Sequence, residues 1–214
     1  LKLIESATGF SSGWLGFTHI ALEDMAAMRA VPGIVIIDPS DAEEAYKATK
    51  EILDYEGPVY MRLRGRKEEP LLNIPVGDFK IGKGHVLAEG GDVLIIACGN
   101  AVYNSIKAAE IMKSMGINPT IINMSTIRPL DEELIAKYAS SIKNIVTVEH
   151  HNITGGLGSA VAEFLSENMT CTRLKRLGVG NRFGEAGDSE ILIKEFGLDG
   201  AGIAASIEKF LNNK

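Results

Sequence analysis

Ile34-Val35-Ile36-Ile37-Asp38-Pro39-Ser40-Asp41-Ala42-Glu43 places a strand, a stop and a helix start next to one another. The run Ile34 to Ile37 has no polar alternation, the pattern of a strand buried on both faces of a parallel sheet. Pro39-Ser40 ends it. Ser40-Asp41-Ala42-Glu43 reads as a capping box that opens a helix to about Asp54. Gly57-Pro58 breaks that helix, and Val59 to Arg64 reads as the next strand. Strand, helix and strand in this order predict a βαβ crossover and an α/β fold.

Upstream, Leu1 to Glu5 alternates as a strand does. Residues 6–19 form a Gly/Ser loop that contains Gly13-Trp14-Leu15-Gly16-Phe17-Thr18-His19, and a helix is expected from Ile20 to Arg29, stopped by Pro32-Gly33. The first residue is Leu1, inside a strand pattern, so an N-terminal portion is expected to be missing or to sit on another polypeptide.

Downstream, residues 65–80 change character: Gly65, two prolines and the charged cluster Arg66 to Glu69 replace the periodic pattern. The chain is therefore divided into a unit at 1–72, a linker at 73–80 and a unit at 81–214. In the second unit, His85 to Leu87 and Val93 to Cys98 read as strands around a hairpin turn at Glu89-Gly90-Gly91-Asp92. Further strands are expected at Thr120–Asn123, Asn144–Glu149 and Arg173–Gly178. Helices are expected at Ala101–Met115, Asp131–Ser140, Leu157–Asn168, Ser189–Phe196 and Gly202–Leu211. The expected fold is α/β: two units, each a mostly parallel sheet flanked by helices.

Composition narrows the function. The 214 residues are 45% hydrophobic and 23% charged with a net charge of −6, which fits a soluble globular protein and argues against a polyanion-binding surface for nucleic acid. Cys98 and Cys171 stand apart from any ligand array, as in a reduced cytoplasmic interior. No apolar run reaches the roughly 20 residues of a membrane span, and no signal peptide is visible.

Four groups of residues could carry chemistry. His19 follows a double-glycine loop and precedes an expected helix start, where it could donate a hydrogen bond or move a proton. Arg62 and Arg64 share one face of a strand and suit a phosphate or carboxylate, or else ion-pair with Glu23 or Asp24. Glu149-His150-His151 before Gly155-Gly156-Leu157-Gly158 lacks the spacing of a dinucleotide or P-loop motif, and reads as a tight turn for helix packing. Adjacent histidines on a strand cannot both reach one metal, and Gly90-Gly91-Asp92 is a turn rather than a metal motif.

Six segments together resemble the transketolase family of thiamine-diphosphate enzymes. They are Leu15 to His19 with Leu22-Glu23-Asp24 and Met28 to Gly33; Asp38 to Asp41 with Glu43-Glu44; Gly57 to Arg64; Thr126 to Asp131; Glu149-His150 with Gly155 to Val161; and Arg182 to Gly187. The resemblance implies the back part of a pyrimidine-binding domain followed by a transketolase C-terminal domain, as in the C-terminal subunit of split transketolases. It implies ketol transfer between sugar phosphates, thiamine diphosphate and Mg²⁺ in the complete enzyme, an N-terminal partner portion, and a homodimer. His19 would act at the cofactor's reactive ring and on donor hydroxyls. Arg64, with Arg62 as a second candidate, would bind the substrate phosphate. The activating Glu and the diphosphate and metal ligands would lie outside this chain. Leu15 and Phe17 depart from the acidic and Pro positions of many members, which bears on the substrate. Two other readings stand beside this one: a 1-deoxy-xylulose-5-phosphate synthase or 2-oxo acid dehydrogenase β-subunit relative, and a non-catalytic dimerisation module.

Overall fold

The computed structural model describes residues 1–65, 71–72 and 77–213. The charged cluster Arg66 to Glu69 and half of the expected linker, 73–76, lie outside the described residues.

Two open sheets form the framework. The first has the order β1-β3-β2-β7, from β1 (Lys2–Glu5), β2 (Val35–Ile37), β3 (Val59–Arg62) and β7 (Thr126–Arg128). The second has the order β4-β6-β5-β8-β9, from β4 (His85–Ala88), β5 (Val93–Ala97), β6 (Pro119–Asn123), β8 (Asn144–Asn152) and β9 (Arg173–Val179). Strands β1, β2 and β3 are parallel, as are β5, β6, β8 and β9. β4 and β7 are the antiparallel edges. As the unbroken apolar runs require, every residue of β2 and of β5 is buried.

The helices are α1 (Asp24–Arg29), α2 (Ala42–Asp54), α3 (Ala101–Ser114), α4 (Glu132–Ala139), α5 (Leu157–Asn168), α6 (Ser189–Glu195) and α7 (Gly200–Asn212). The capping box of α2 is displaced by one residue from the expected frame. Asp41 is the N-cap and accepts the Glu44 N–H at 2.9 Å. Glu44 bends back to accept the Ser40 N–H at 2.7 Å and its hydroxyl at 2.6 Å. The buried Glu44 carboxylate also accepts from Asn123 Nδ2 at 3.0 Å and from the Ser125 hydroxyl at 2.5 Å. One carboxylate thus caps α2 and ties it to the turn between β6 and β7.

Two expectations are corrected here. His85–Leu87 and Val93–Cys98 do not form a hairpin, because β6 lies between β4 and β5. Gly90 instead braces the start of β6: its N–H donates to Thr120 Oγ1 at 3.0 Å, and Asp92 accepts the Asn118 N–H at 2.7 Å. The second correction is that strand β7 leaves the second unit and pairs with β2 of the first. The two units also share a core, in which Met25, Ile34, Ile36 and Tyr60 pack in one cluster with Leu94, Ile96, Met124 and Leu157. Burial of such side chains, at ~25 cal/mol per Å² of apolar surface, holds the units together as one body.

Candidate functional site

Residues Gly13–Thr18 form two short 3-10 turns that meet at a kink at Gly16, and His19 follows the second. Gly16 has φ +74°, and a Cβ there would lie 3.2 Å from the Ala186 side chain, so glycine answers both a backbone and a packing demand. The His19 N–H closes the turn onto the Gly16 carbonyl at 2.9 Å. Its ring is exposed, with Nδ1 2.9 Å from the Thr18 hydroxyl. The 182–189 segment backs this loop: the Gly187 N–H donates to the Gly13 carbonyl at 3.0 Å and the Ser189 hydroxyl to the Phe10 carbonyl at 2.7 Å. Two segments more than 170 residues apart in the chain thereby become one surface, on which Trp14, Phe17 and Phe183 stand exposed.

The expected helix over Ile20–Arg29 starts only at Asp24. Ile20 and Leu22 are buried, and the backbone between them is extended to make other bonds. Ala21 bridges Gly9, and the Leu22 carbonyl accepts the Asn152 N–H at 2.8 Å. His19 therefore has no α-helix N-terminus beside it, contrary to the sequence expectation.

Arg62 points inward and is 2% exposed. Its Nε donates to Asp24 Oδ2 at 2.7 Å, Nη1 to Asp38 Oδ2 at 2.9 Å, and Nη2 to the Ala21 carbonyl at 3.2 Å. Tyr60 adds a hydroxyl to Asp24 Oδ2 at 2.7 Å. These two carboxylates offset the burial of the guanidinium and raise its pKa. Of the two carboxylates considered from sequence, Asp24 is the one that pairs. Asp38 was missed as its second partner. Its signal was a carboxylate placed directly after a wholly apolar strand.

Arg64 is less deeply buried than Arg62, with its side chain 10% exposed. Nη2 is 3.7 Å from Asp38 Oδ1 and donates to the Pro39 carbonyl at 3.3 Å. It lines a cavity of about 800 Å³ at the junction of the two units, together with His150, Asn100 and Asn104. Neither His19 nor Arg62 lines that cavity. Arg62 and Arg64 meet at Asp38, but of the three residues only Arg64 lines this cavity.

The Gly155–Gly158 turn is built around Glu149. Its buried carboxylate accepts the N–H groups of Leu157 and Gly158, each at 2.8 Å, at the start of α5. An internal carboxylate thus takes the place that a bound anion would occupy at a helix N-terminus. A Cβ on Gly156 would collide with that carboxylate. Burial pushes the Glu149 pKa up to about 7, against the lowering effect of the two N–H groups. The adjacent histidines face different surroundings. His150 Nε2 lies 3.3 Å from Asn104 Nδ2, whereas the His151 Nδ1–H donates to the Asn152 carbonyl at 2.7 Å. Burial lowers their pKa values to about 3 and about 4, with the Arg64 and Arg62 charges adding to the effect. Both rings are neutral at pH 7.

Among the described residues, no group of three or more His, Cys, Asp or Glu side chains converges on a position for a metal ion. The described residues do not fit the diphosphate and metal end of a thiamine diphosphate. No helix among the described residues is long and apolar enough to cross a membrane.

A two-sheet α/β chain with a braced, histidine-bearing loop defines a class of protein, and sequence comparison gives the family. Residues 3–67 match the transketolase pyrimidine-binding domain, and residues 82–203 match the transketolase C-terminal domain. The chain belongs to the transketolase family, whose members depend on thiamine diphosphate. It is 41% identical over 97% of its length to a putative transketolase C-terminal section from Methanocaldococcus jannaschii. It is 36% identical over its full length to the 6-deoxy-6-sulfo-D-fructose transketolase subunit SqwH of a Clostridium species. It spans 65% and 66% of those two proteins. A solved structure described as a split gene transketolase, inactive beta4 tetramer, superimposes with a TM-score of 0.89 at 35% identity, over 98% of this chain and 66% of that one.

Proposed function

We propose that the chain is the C-terminal part of a transketolase that moves a two-carbon ketol unit between sugar phosphates. It works with an N-terminal portion that carries the diphosphate and Mg²⁺ ligands. The division at 73–80, a dimeric assembly and a cytoplasmic setting belong to the same proposal. The observation that carries it is the position of His19, held at the surface by the Gly13–Thr18 turn and the 182–189 segment rather than folded into the core.

In this reading thiamine diphosphate, when bound, supplies the carbon chemistry. His19 holds or takes a proton at a donor hydroxyl. Arg64 takes the substrate phosphate. Arg62 serves as a positioning residue, since its donors are committed to Asp24, Asp38 and Ala21. The test mixes the chain with its N-terminal partner, thiamine diphosphate and Mg²⁺, and measures ketol transfer. Absence of transfer from any ketose phosphate counts against the proposal.

A second reading is 1-deoxy-xylulose-5-phosphate synthase-like chemistry. Leu15 and the exposed Phe17 make the surface beside His19 apolar, which suits a donor with fewer hydroxyls there. The chain is also 40% identical over 193 residues to such a synthase from Caldanaerobacter subterraneus, although it spans 31% of that protein. Product analysis with pyruvate as donor separates the two. The alternative of a 2-oxo acid dehydrogenase β-subunit relative is read in the same assay, by release of CO₂ without sugar product.

A further inference from the structure

The end of β8 carries a buried pair that the proposed chemistry does not use. The side chains of Glu149 and His151 are both closed to solvent, with Glu149 Oε2 3.7 Å from His151 Nδ1. The His151 Nδ1–H is spent on the Asn152 carbonyl at 2.7 Å, which makes Nε2 an acceptor, and Nε2 is buried without a hydrogen-bond partner. Another acceptor, Asp24 Oδ1, stands 3.9 Å from it. A buried polar atom left unpaired is costly. A change of tautomer would turn this one into a donor toward Asp24, and which ring nitrogen holds the proton is set by what the other one meets.

Asp24 opens α1, which follows the His19 loop. The stretch between them lies along the end of β8. The Leu22 carbonyl accepts the Asn152 N–H at 2.8 Å, and Arg62 Nη2 is shared between the Ala21 and His150 carbonyls at 3.2 and 3.5 Å. A Cβ on Gly155 would collide with Ala26, so the turn that Glu149 holds also presses on α1. Movement at Glu149 and His151 therefore reaches the base of the His19 loop by two routes.

Glu149 is the group whose charge can drive the change. From α5 it receives only the two N–H groups. Arg62 of β3 favours its charged form, and Asp38 after β2 opposes it. Cys98 after β5 is a neutral thiol, its pKa raised by burial. Arg176 of β9 donates instead to the Ile153 carbonyl and the Ser159 hydroxyl. Burial outweighs the rest and brings Glu149 to about 7.

We propose that Glu149 and His151 form a proton-driven positioning device for the His19 loop. With Glu149 charged, His151 keeps its proton on Nδ1. When Glu149 Oε2 binds a proton from solvent, its O–H donates to Nδ1. The ring proton then sits on Nε2, and the Nε2–H donates to Asp24 Oδ1. The ring stays neutral, and the net change is one proton bound. Asn152 is only partly buried, so water can replace the donor its carbonyl gives up. Closing 3.7 and 3.9 Å to hydrogen-bond length moves these groups by about 1 Å each, which draws the start of α1 toward β8. A consequence for turnover rests on the reading of His19 as the working residue; the device itself does not.

The test is NMR of the ring nitrogens in the nitrogen-15-labelled chain, without cofactor or partner, from pH ~5.5 to ~8.5, which spans titration of a raised carboxyl. His151→Gln assigns the ring signals by their loss. The proton of His151 is expected on Nδ1 at high pH and on Nε2 at low pH, and the amide signals of Ala21, Leu22 and Asp24 should shift with the same midpoint. Glu149→Gln, neutral at every pH, should hold one tautomer throughout and leave those amides still. His19→Gln, which removes the loop's own ionisable side chain, should keep both changes. Circular dichroism establishes that each variant is folded, and the wild-type titration decides alone if Glu149→Gln does not fold. A His151 ring that keeps one tautomer across the range overturns the proposal. So does a tautomer change that persists in folded Glu149→Gln, or amides that titrate only while His19 is present. No reading uses turnover, so failure here leaves the ketol-transfer reading standing, and failure of ketol transfer leaves the device standing.

Discussion

Arg62 Nε lies 2.7 Å from Asp24 Oδ2, and the pair joins the end of β3 to the first turn of α1 beneath the His19 loop. The guanidinium is 2% exposed, so removing either partner strands a buried charge. Asp24→Ala is predicted to lower unfolding free energy by about 3–5 kcal/mol. Arg62→Lys should also destabilise, because an ammonium cannot reach both Asp24 and Asp38 in one plane. Urea unfolding followed by circular dichroism measures this. A loss below about 1 kcal/mol, the range of an exposed pair, would contradict the assignment of Arg62 to a buried hub.

Glu44 is the corresponding tie on the other side of the first sheet. Glu44→Ala removes the acceptor shared by Ser40, Asn123 and Ser125. Leaving those buried donors unpaired is expected to cost roughly 3 kcal/mol or more, and hydrogen exchange should quicken at residues 123–125 as well as in α2. Exchange that changes only in α2 would mean the tie carries no coupling between the units.

Acid sensitivity follows from the buried groups along β8. Between pH ~4.5 and ~6.5 the unfolded chain binds protons on His150 and His151 that the folded chain refuses. Over the same window the folded chain keeps one on Glu149 that the unfolded chain releases, since the folded values are about 3, about 4 and about 7. Two protons against one leave the unfolded state with about one more. Stability therefore rises with pH by roughly 1.4 kcal/mol per unit in that window. From about pH 6.5 to 7 only Glu149 titrates, and the slope reverses. His150→Gln should flatten the acid limb. A profile that falls from pH 4.5 to 6.5 would contradict the burial argument.

Arg64 and Arg62 should separate in kinetics. Arg64→Ala is predicted to raise KM for a phosphorylated acceptor by about tenfold or more, as for loss of one charged hydrogen bond, with a much smaller effect on an unphosphorylated analogue. Equal effects on both acceptors would remove the phosphate role.

The parts of the fold that could be read from sequence were those with strong local pattern. The Ile34–Ile37 run and the Val93–Ala97 run admit little but buried parallel strands, and the Ser40–Glu43 capping box announced α2 to within one residue. What escaped was set by distant partners. Strand β7 has three residues, too few for a period to show, and its place is decided by β2, about 90 residues earlier. Glu89-Gly90-Gly91-Asp92 has hairpin chemistry, but β6 pairs more extensively with β5 and takes the position between the strands. His19 was legible as an exposed loop residue. The absence of an α-helix start beside it was not, because that depends on Ile20 and Leu22 being drawn into the core. Arg62 and Arg64 look alike in sequence. Only the packing of Asp24 and Asp38 tells the buried guanidinium from the one at the cavity.

The most direct test of the account is kcat of His19→Ala in the enzyme reconstituted with its N-terminal partner, thiamine diphosphate and Mg²⁺. His19 is exposed and contributes little to packing, so the variant should keep its melting temperature while kcat for ketol transfer falls by about 10²-fold or more. A folded His19→Ala variant that turns over at the wild-type rate would contradict the account.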